Sequence, residues 1–215
     1  MSRLGLPRRF AALAAASAAA LLAHEAAAQA GAAIGRDRDT SARTTIGTPL
    51  AQACSQSVAA GDSSDAALAT CDRAFSERLN RGLIIATHIN RGALHLRRRN
   101  GEAALADFDA VIALERRHAE AHLNRGAALI MLGRPGPAVA SITEALSLGV
   151  AEPHKAYFNR GAAREALGDL RGAYEDYSTA LEIQPDWGPA NAELARFVRG
   201  RRDHLAEVLA EPPAP

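Results

Sequence analysis

Residues 154–187 read HKAYFNRGAAREALGDLRGAYEDYSTALEIQPDW, and this stretch contains the pattern that decides the fold. Its Asn-Arg-Gly triplet recurs in register at spacings of 34 and 35 residues. The copies in register are Asn90-Arg91-Gly92, Asn124-Arg125-Gly126 and Asn159-Arg160-Gly161. A fixed period of this length indicates a stack of equivalent supersecondary units.

Each unit is predicted to contain two helices. In the third unit, apolar and small residues follow helical spacing from Ala156 to Leu167, and Gly168-Asp169 breaks the pattern. A second helix from about Leu170 ends before Pro185, because proline cannot continue a helix. A glycine inside a helix costs roughly 1 kcal/mol relative to alanine, so its recurrence indicates that two helices approach closely. The expected packing residues are Gly92, Gly126 and Gly161 on the first helices and Ala104, Ala138 and Ala173 on the second.

The repeated unit resembles the tetratricopeptide repeat. The third unit carries the resemblance best, through Tyr157, Gly161, Ala173, Tyr177 and Pro185. The first unit lacks the closing proline, and the second opens its second helix with two prolines. The resemblance implies an all-α fold, an α-solenoid of antiparallel helix pairs in a right-handed superhelix with a C-terminal capping helix. The three units span 85–118, 119–153 and 154–187.

Segments on both sides of the repeats complete the expected stack. Residues 49–84 are predicted to form a divergent helix pair, interrupted at Gly61. Residues 188–210 carry apolar residues at helical spacing and are predicted to cap the array, because an end repeat has no neighbour to cover its face. We expect 31–48 to be a flexible lead-in segment and 211–215 a frayed tail.

The first thirty residues have the layout of a secretory signal peptide. A basic head reaches Arg9, an uncharged run follows from Phe10 to Ala23, and Ala28-Gln29-Ala30 fits a cleavage site. The alanine-rich, arginine-rich composition is typical of a GC-rich bacterium. The chain is therefore expected to be exported to the periplasm, with no membrane span after cleavage. The alternatives are a retained N-terminal anchor and an amphipathic first helix.

The two cysteines fall in the divergent N-terminal pair. Cys54 is predicted on its first helix and Cys71 on its second, on facing sides of the hairpin. In an oxidising compartment such a pair forms a disulfide, which is our hypothesis here. The alternative is two small buried thiols that stay reduced.

Composition and motifs disfavour several function classes. The 215 residues carry 25 basic and 24 acidic side chains and only 4% aromatics, a balance that argues against nucleic-acid binding. His118 and His122 have metal-ligand spacing but no accompanying metal motif, so we expect no metal and no cofactor. Glu175 and Asp176 are interpreted as part of a polar exterior. No nucleophile or phosphate-loop motif is present, so the chain is predicted not to be an enzyme.

The resemblance also implies a binding surface. In this family the first helices of successive repeats line a concave groove that receives peptides or partner segments. The register places in that groove Ile89, Ala93, Leu96, Leu123, Ala127, Ile130, Lys155, Phe158, Ala162 and Glu165. The alternative is that these residues pack between repeats or are covered by the N-terminal segment or the cap. Because most are apolar, a hydrophobic helical or extended partner segment is favoured.

The sequence therefore predicts a non-catalytic adaptor or scaffold of the bacterial cell envelope. Its partner would be another protein or a peptide segment docked in the concave groove. A structural subunit that self-associates or takes part in envelope assembly is the second hypothesis. An uncharacterised enzyme is the third.

Overall fold

The computed structural model describes residues 49–210, with side chains through residue 200. The predicted signal peptide (1–30), lead-in segment (31–48) and tail (211–215) lie outside the described residues.

Within 49–210 the chain forms nine helices and no strand, as the predicted all-α fold requires. Each of the first eight helices spans 10 to 17 residues, whereas the ninth spans 23. The helices are α1 (Pro49–Ala59), α2 (Asp65–Ala74), α3 (Arg81–Arg97), α4 (Gly101–Leu114), α5 (Ala119–Met131), α6 (Pro135–Ser147), α7 (Pro153–Ala166), α8 (Leu170–Ile183) and α9 (Gly188–Ala210).

The helices pack as consecutive pairs in a row. α1 packs on α2, α3 on α4, α5 on α6 and α7 on α8, and each second helix also contacts the first helix of the next pair. α9 packs on α8 at the end of the row. This arrangement is an α-solenoid, and it confirms the predicted fold class. None of the described helices is both long and apolar enough to cross a bilayer.

Local sequence sets where these helices begin and end. Side-chain caps accept a backbone N–H at five starts, which satisfies one otherwise unpaired donor each. Pro135 and Pro153 each lie at the start of a helix, where the missing N–H costs nothing. Gly133 and Gly168 take positive φ of 68° and 83° in the turns that reverse the chain inside two pairs. The capping residues are Ser64, Asn80, Asn100, His118 and Asp169.

The repeated glycines lie where two helices of a pair approach most closely. A Cβ at Gly92 would lie 2.7 Å from Cε1 of Phe108, and one at Gly161 would lie 2.9 Å from Cε1 of Tyr177. A Cβ at Gly126 would overlap Cγ1 of Ile142. The nearest side chain is therefore not the recurring alanine but the large residue four positions after it. The alanines Ala104, Ala138 and Ala173 are fully buried beside these contacts.

A disulfide between Cys54 and Cys71 takes the same place in the N-terminal pair. Both cysteines are fully buried. Asp72, which follows Cys71, contacts Arg91 of the next pair, and Asp109, which follows Phe108, contacts Arg125 in the same way. Cys71 therefore corresponds to Phe108, and the disulfide replaces the contact between a glycine and a large side chain.

The aromatic residues concentrate at the C-terminal end of the stack. Phe158 contacts Trp187 and Tyr177, with ring centroids 5.1 Å and 5.6 Å apart. Phe197 of α9 joins the cluster, 6.5 Å from the Tyr177 ring. These contacts attach α9 to the third repeat, because aromatic side chains bury large areas.

Candidate protein-docking surface

The ten predicted groove residues lie on the first helices of three successive pairs. Ile89, Leu123 and Phe158 occupy equivalent places on α3, α5 and α7. The remaining residues follow at helical spacing, so they share one face of each helix. We call this set the inner strip; it consists of Ile89, Ala93, Leu96, Leu123, Ala127, Ile130, Lys155, Phe158, Ala162 and Glu165.

The structure buries nine of the ten residues of the inner strip, and Glu165 is half-buried. All eight apolar members belong to the hydrophobic clusters that form the core. The strip is therefore a buried seam of the stack and not an open apolar surface. Its capacity to receive a partner stays a prediction.

The two charged members of the inner strip are engaged within the chain. Lys155 forms an ion pair with Glu152 at 2.8 Å. Glu165 accepts hydrogen bonds from Arg196 of α9 at 2.8 Å and from the Tyr177 hydroxyl at 3.0 Å. Burial and the adjacent Glu165 carboxylate raise the pKa of Tyr177 above its ordinary value, so the phenol stays protonated and donates. These contacts hold the last pair and α9 together.

The asparagines of the repeated triplet lie beside the inner strip. Asn90, Asn124 and Asn159 are all buried. Within the described residues, neither amide atom of Asn159 has a hydrogen-bond partner, and Oδ1 of Asn90 also has none. Buried polar groups are nearly always paired, and each exception in a folded protein calls for an explanation.

The arginines of the triplet, which the sequence left without a role, form a repeated set of bridges. Arg91 donates from Nε to Asp107 at 3.0 Å, and Arg160 donates from Nε to Asp176 at 3.0 Å. Each arginine thereby joins the two helices of its own pair. The sequence contained a pattern from which these ion pairs could have been predicted, because both aspartates follow their arginine by 16 residues.

The same arginines also reach the preceding pair. Arg91 contacts Asp72 at 2.8 Å, and Arg125 contacts Asp109 at 2.6 Å. In the middle pair Ser141 stands in place of the aspartate, and its hydroxyl donates to the His122 carbonyl at 3.0 Å. Among the described residues, Arg125 therefore pairs only with the preceding helix pair, whereas Arg91 joins both pairs.

Asp107 is the most heavily bonded carboxylate of this set. It receives hydrogen bonds from Arg91 and shares one with Nδ1 of His88 at 2.9 Å. Burial alone raises the pKa of Asp107, but the bonds from His88 and Arg91 and their charges outweigh it, so the pKa lies below its ordinary value. The Asp107 carboxylate therefore stays ionised inside the stack.

One sequence interpretation needs correction. Asp176 was expected on a polar exterior, but it is buried, and Arg160 and Arg164 both pair with it. His118 lies in the turn between α4 and α5, where it caps α5 by accepting a hydrogen bond from the Ala121 N–H. His122 contacts the Arg116 carbonyl. Among the described residues, no three His, Cys, Asp or Glu side chains gather in a way that could hold a metal ion.

The arginines at the C-terminal end of α3 attach the N-terminal pair. Arg97 donates to the Val58 carbonyl at 3.0 Å, and Arg98 donates to the Ser63 carbonyl at 2.8 Å and pairs with Asp65. Both arginines lie at the C-terminal end of α3 and join the first two helix pairs.

Comparison with known proteins agrees with this repeat architecture. Residues 154–186 match the family model of the tetratricopeptide repeat. This segment is α7, α8 and the turn after them, the unit in which the sequence pattern is clearest.

Solved structures with the same fold include two human domains and one bacterial protein. The first TPR domain of human RPAP3 has a TM-score of 0.52 and 24% identity, over 56% of this chain and 94% of that one. Its second TPR domain, in complex with the HSP70 peptide SGPTIEEVD, has a TM-score of 0.51 and 26% identity, over 55% and 98%. MamA from Desulfovibrio magneticus RS-1 has a TM-score of 0.60 and 17% identity, over 73% and 86%.

Proposed function

We propose that this chain is a non-catalytic adaptor that docks a segment of another protein along the inner strip. The observation that carries the proposal is a set of buried amide atoms that have no hydrogen-bond partner within the described residues, Oδ1 of Asn90 and both amide atoms of Asn159, beside an otherwise apolar seam. A bound polypeptide supplies backbone N–H and C=O groups that satisfy such amides, while its apolar side chains contact the strip. The RPAP3 domain solved with an HSP70 peptide supports a peptide as the ligand class for this fold.

Docking requires the seam to open, because the amides and the apolar members are buried. Two half-buried residues lie at the edge of the inner strip, where a partner could first make contact. Met131 follows Ile130 on α5, and Ala166 follows Glu165 on α7. Both lie one helical turn beyond the strip alanines Ala127 and Ala162, so they share their face.

Site-specific photo-crosslinking tests this assignment in the source cells. A crosslinker at Met131 or Ala166 should capture a discrete partner protein. The same crosslinker at Leu114 or Ile183, exposed residues at the ends of second helices, should not. Equal capture from both sets of positions would place docking elsewhere.

Replacing Asn159 with leucine separates binding from folding. Removing an unpaired buried amide should leave the unfolding free energy unchanged or raise it, because no hydrogen bond is lost. Partner capture should fall, because the amide is no longer there to bond the partner backbone. A loss of stability together with a loss of capture would instead identify Asn159 as a structural residue.

We further propose that the chain acts in the periplasm after cleavage of residues 1–30. The buried disulfide supports an oxidising compartment, since cytosolic thiols are kept reduced. Cell fractionation and N-terminal sequencing test this proposal. The expected result is a periplasmic protein that begins at Gly31, and a membrane-bound protein that keeps Met1 would contradict it.

Self-association is the second candidate function. Light scattering over a range of protein concentrations distinguishes an adaptor from a subunit that associates with copies of itself. A constant monomer mass supports the adaptor, and a mass that rises with concentration supports an assembly subunit.

A further inference from the structure

His95 of α3 has a buried ring nitrogen without a partner. Its side chain is half-buried, and within the described residues Nδ1 has no hydrogen-bond partner. A neutral imidazole has one donor and one acceptor nitrogen, whereas an imidazolium needs acceptors for two N–H groups. Protonation would therefore bury an N–H that has no acceptor, and burial lowers the pKa of His95 below its ordinary value of 6.5.

The other repeats show what usually occupies this place. His95 lies three residues after the repeated glycine, as do Leu129 and Arg164. Leu129 is buried as an apolar residue, and Arg164 pairs with Asp176 at 3.0 Å. The aspartate equivalent to Asp176 in the first repeat is Asp107, so His95 stands where a cation would pair with that carboxylate.

Asp107 is engaged by other partners. It accepts hydrogen bonds from Arg91 at 2.6 Å and 3.0 Å and shares one with Nδ1 of His88 at 2.9 Å. His88 thus supplies the second partner that Arg164 supplies in the third repeat. A proton on His95 would have to compete with these groups for the Asp107 carboxylate.

The charges that act on His95 come from three helices. Its own helix contributes Arg91 and Arg98, which oppose a further positive charge. Asp72 of α2 and Asp107 of α4 favour that charge, but burial outweighs them. Both carboxylates already pair with Arg91. His95 is therefore neutral while the N-terminal pair is packed on α3.

The other two helices packed on α3 add no free charge to this set. α1 has no titratable side chain besides Cys54, which is in the disulfide. The ionisable side chains of α5 are engaged elsewhere: Glu120 lies beside His118, His122 contacts the Arg116 carbonyl, and Arg125 pairs with Asp109. The charge on His95 is therefore governed by α2, α3 and α4.

The arginines beside His95 are the ones that attach the N-terminal helix pair. Arg91 pairs with Asp72 at 2.8 Å, and Arg98 donates to the Ser63 carbonyl at 2.8 Å. His95 lies four residues after Arg91 and three before Arg98, so the three side chains share one face of α3. A positive charge on His95 would repel both arginines and compete for Asp72.

We propose that His95 makes the attachment of the N-terminal helix pair to α3 sensitive to pH. Above about pH 6.5 the imidazole is neutral, and α1 and α2 stay packed on α3. At lower pH a proton on His95 favours the state in which the pair has separated, because water then solvates the imidazolium. The disulfide still joins α1 to α2, so the two helices leave α3 together.

The direction of the effect follows from proton linkage. Burial lowers the pKa of His95 in the attached state, and separation returns the pKa toward 6.5. The separated state therefore binds the proton more tightly. Its population rises as pH falls below 6.5, by at most about tenfold per pH unit for one proton. Leu129 and Arg164 do not titrate in this range, so the later repeats lack this response.

Hydrogen exchange of the full chain between about pH 7 and pH 5 tests the proposal, after correction for intrinsic exchange rates. The opening equilibrium of α1 and α2 should rise by roughly threefold or more at the lower pH. Separation is visible in both helices, because helices of 11 and 10 residues are not stable alone. α7 and α8 should keep their protection.

Variants of the full chain assign the response to one imidazole. His95→Leu should fold, because Leu129 fills the equivalent place, and it should remove the pH dependence of opening in α1 and α2. His95→Gln is also neutral at every pH and should have the same effect, which covers any change in packing caused by leucine. His88→Gln is the matched control, because it removes the other imidazole near Asp107 and should leave the pH dependence in place.

Three results would overturn the proposal. One is the same pH dependence of opening in the wild type, His95→Leu and His95→Gln. Another is acceleration that extends equally to α7 and α8, since acid would then weaken the whole stack. The third is a pH dependence that His88→Gln removes and His95→Leu retains, which would assign the response to His88.

Discussion

Gly126 has no room for a side chain, because a Cβ there would overlap Cγ1 of Ile142 and lie 2.9 Å from its Cδ1. Two facts of the sequence pointed to this contact: the recurrence of the glycine in register and its cost inside a helix. The sequence did not identify the residue it meets. A period aligns equivalent residues, but it does not say which side chains face each other across a pair.

Gly126→Ala should therefore destabilise the protein. Crowding Ile142 costs roughly 1–3 kcal/mol, and the better helix propensity of alanine offsets up to about 1 kcal/mol of that. Denaturant midpoints measure the change. Adding Ile142→Val should restore part of the loss, whereas Gly136→Ala, where a Cβ meets nothing within 4 Å, should not destabilise. An unchanged unfolding free energy in Gly126→Ala would show that α5 and α6 can move apart at no cost.

Asp107 is the residue whose charge the stack depends on most. Asp107→Asn removes a buried carboxylate that bonds Arg91 and His88, and it should cost about 3 kcal/mol of unfolding free energy. Asp109→Asn is the control, because its pair with Arg125 is exposed and should be worth less than about 1 kcal/mol. Equal losses of unfolding free energy in Asp107→Asn and Asp109→Asn would mean that burial does not strengthen the ion pairs of Asp107.

The same carboxylate gives stability a predictable pH dependence. Because the folded-state pKa of Asp107 lies below its ordinary value of 3.8, its contribution is complete above that value and is lost as pH falls through the folded pKa. Denaturant midpoints between about pH 6 and pH 2 should fall less steeply in Asp107→Asn than in the wild type. Parallel profiles would contradict the assignment.

Among the elements, the N-terminal pair depends most on a covalent bond. α1 and α2 are short, and the disulfide stands where the other pairs have a glycine and a large side chain. The sequence predicted the two cysteines on facing helices because both fall at helical places around Gly61. It did not predict the attachment of this pair by Arg91, Arg97 and Arg98, since such bridges depend on how the pairs are stacked.

Replacing both cysteines with serine should loosen this pair selectively. Loss of the cross-link should cost about 3 kcal/mol in the chain-entropy model. Hydrogen exchange should accelerate in α1 and α2, while α7 and α8 keep wild-type protection. Uniform acceleration over all helices would show that the stack unfolds as one unit.

For the whole molecule, the 34-residue period predicted a stack of equivalent units, and the resemblance to the tetratricopeptide repeat implied that this stack is an α-solenoid. The state of the inner strip could not be predicted in this way. Ile89, Leu123 and Phe158 are apolar whether they line an open groove or a closed seam. The residues are the same in an open groove and in a closed seam, so only the three-dimensional structure distinguishes the two.

A linear stack should also unfold from its ends. Trp187 is the single tryptophan, and it is buried at the junction of α8 and α9. Phe197→Ala removes a ring from that cluster and should destabilise this end by about 3 kcal/mol. The thermal transition followed by tryptophan fluorescence should then have a lower midpoint temperature than the transition followed by the helical circular-dichroism signal. Coincident transitions in the variant would indicate a fully cooperative molecule.

The disulfide of the first pair has a consequence for how the protein is produced. Where the other pairs are complete once their side chains have packed, this one also needs an oxidant, since Cys54 and Cys71 occupy the place of a packed glycine contact. Material expressed in a reducing cytoplasm would carry two thiols there and a loosened first pair. The number of ordered helix pairs in a preparation would then report the redox history of the sample.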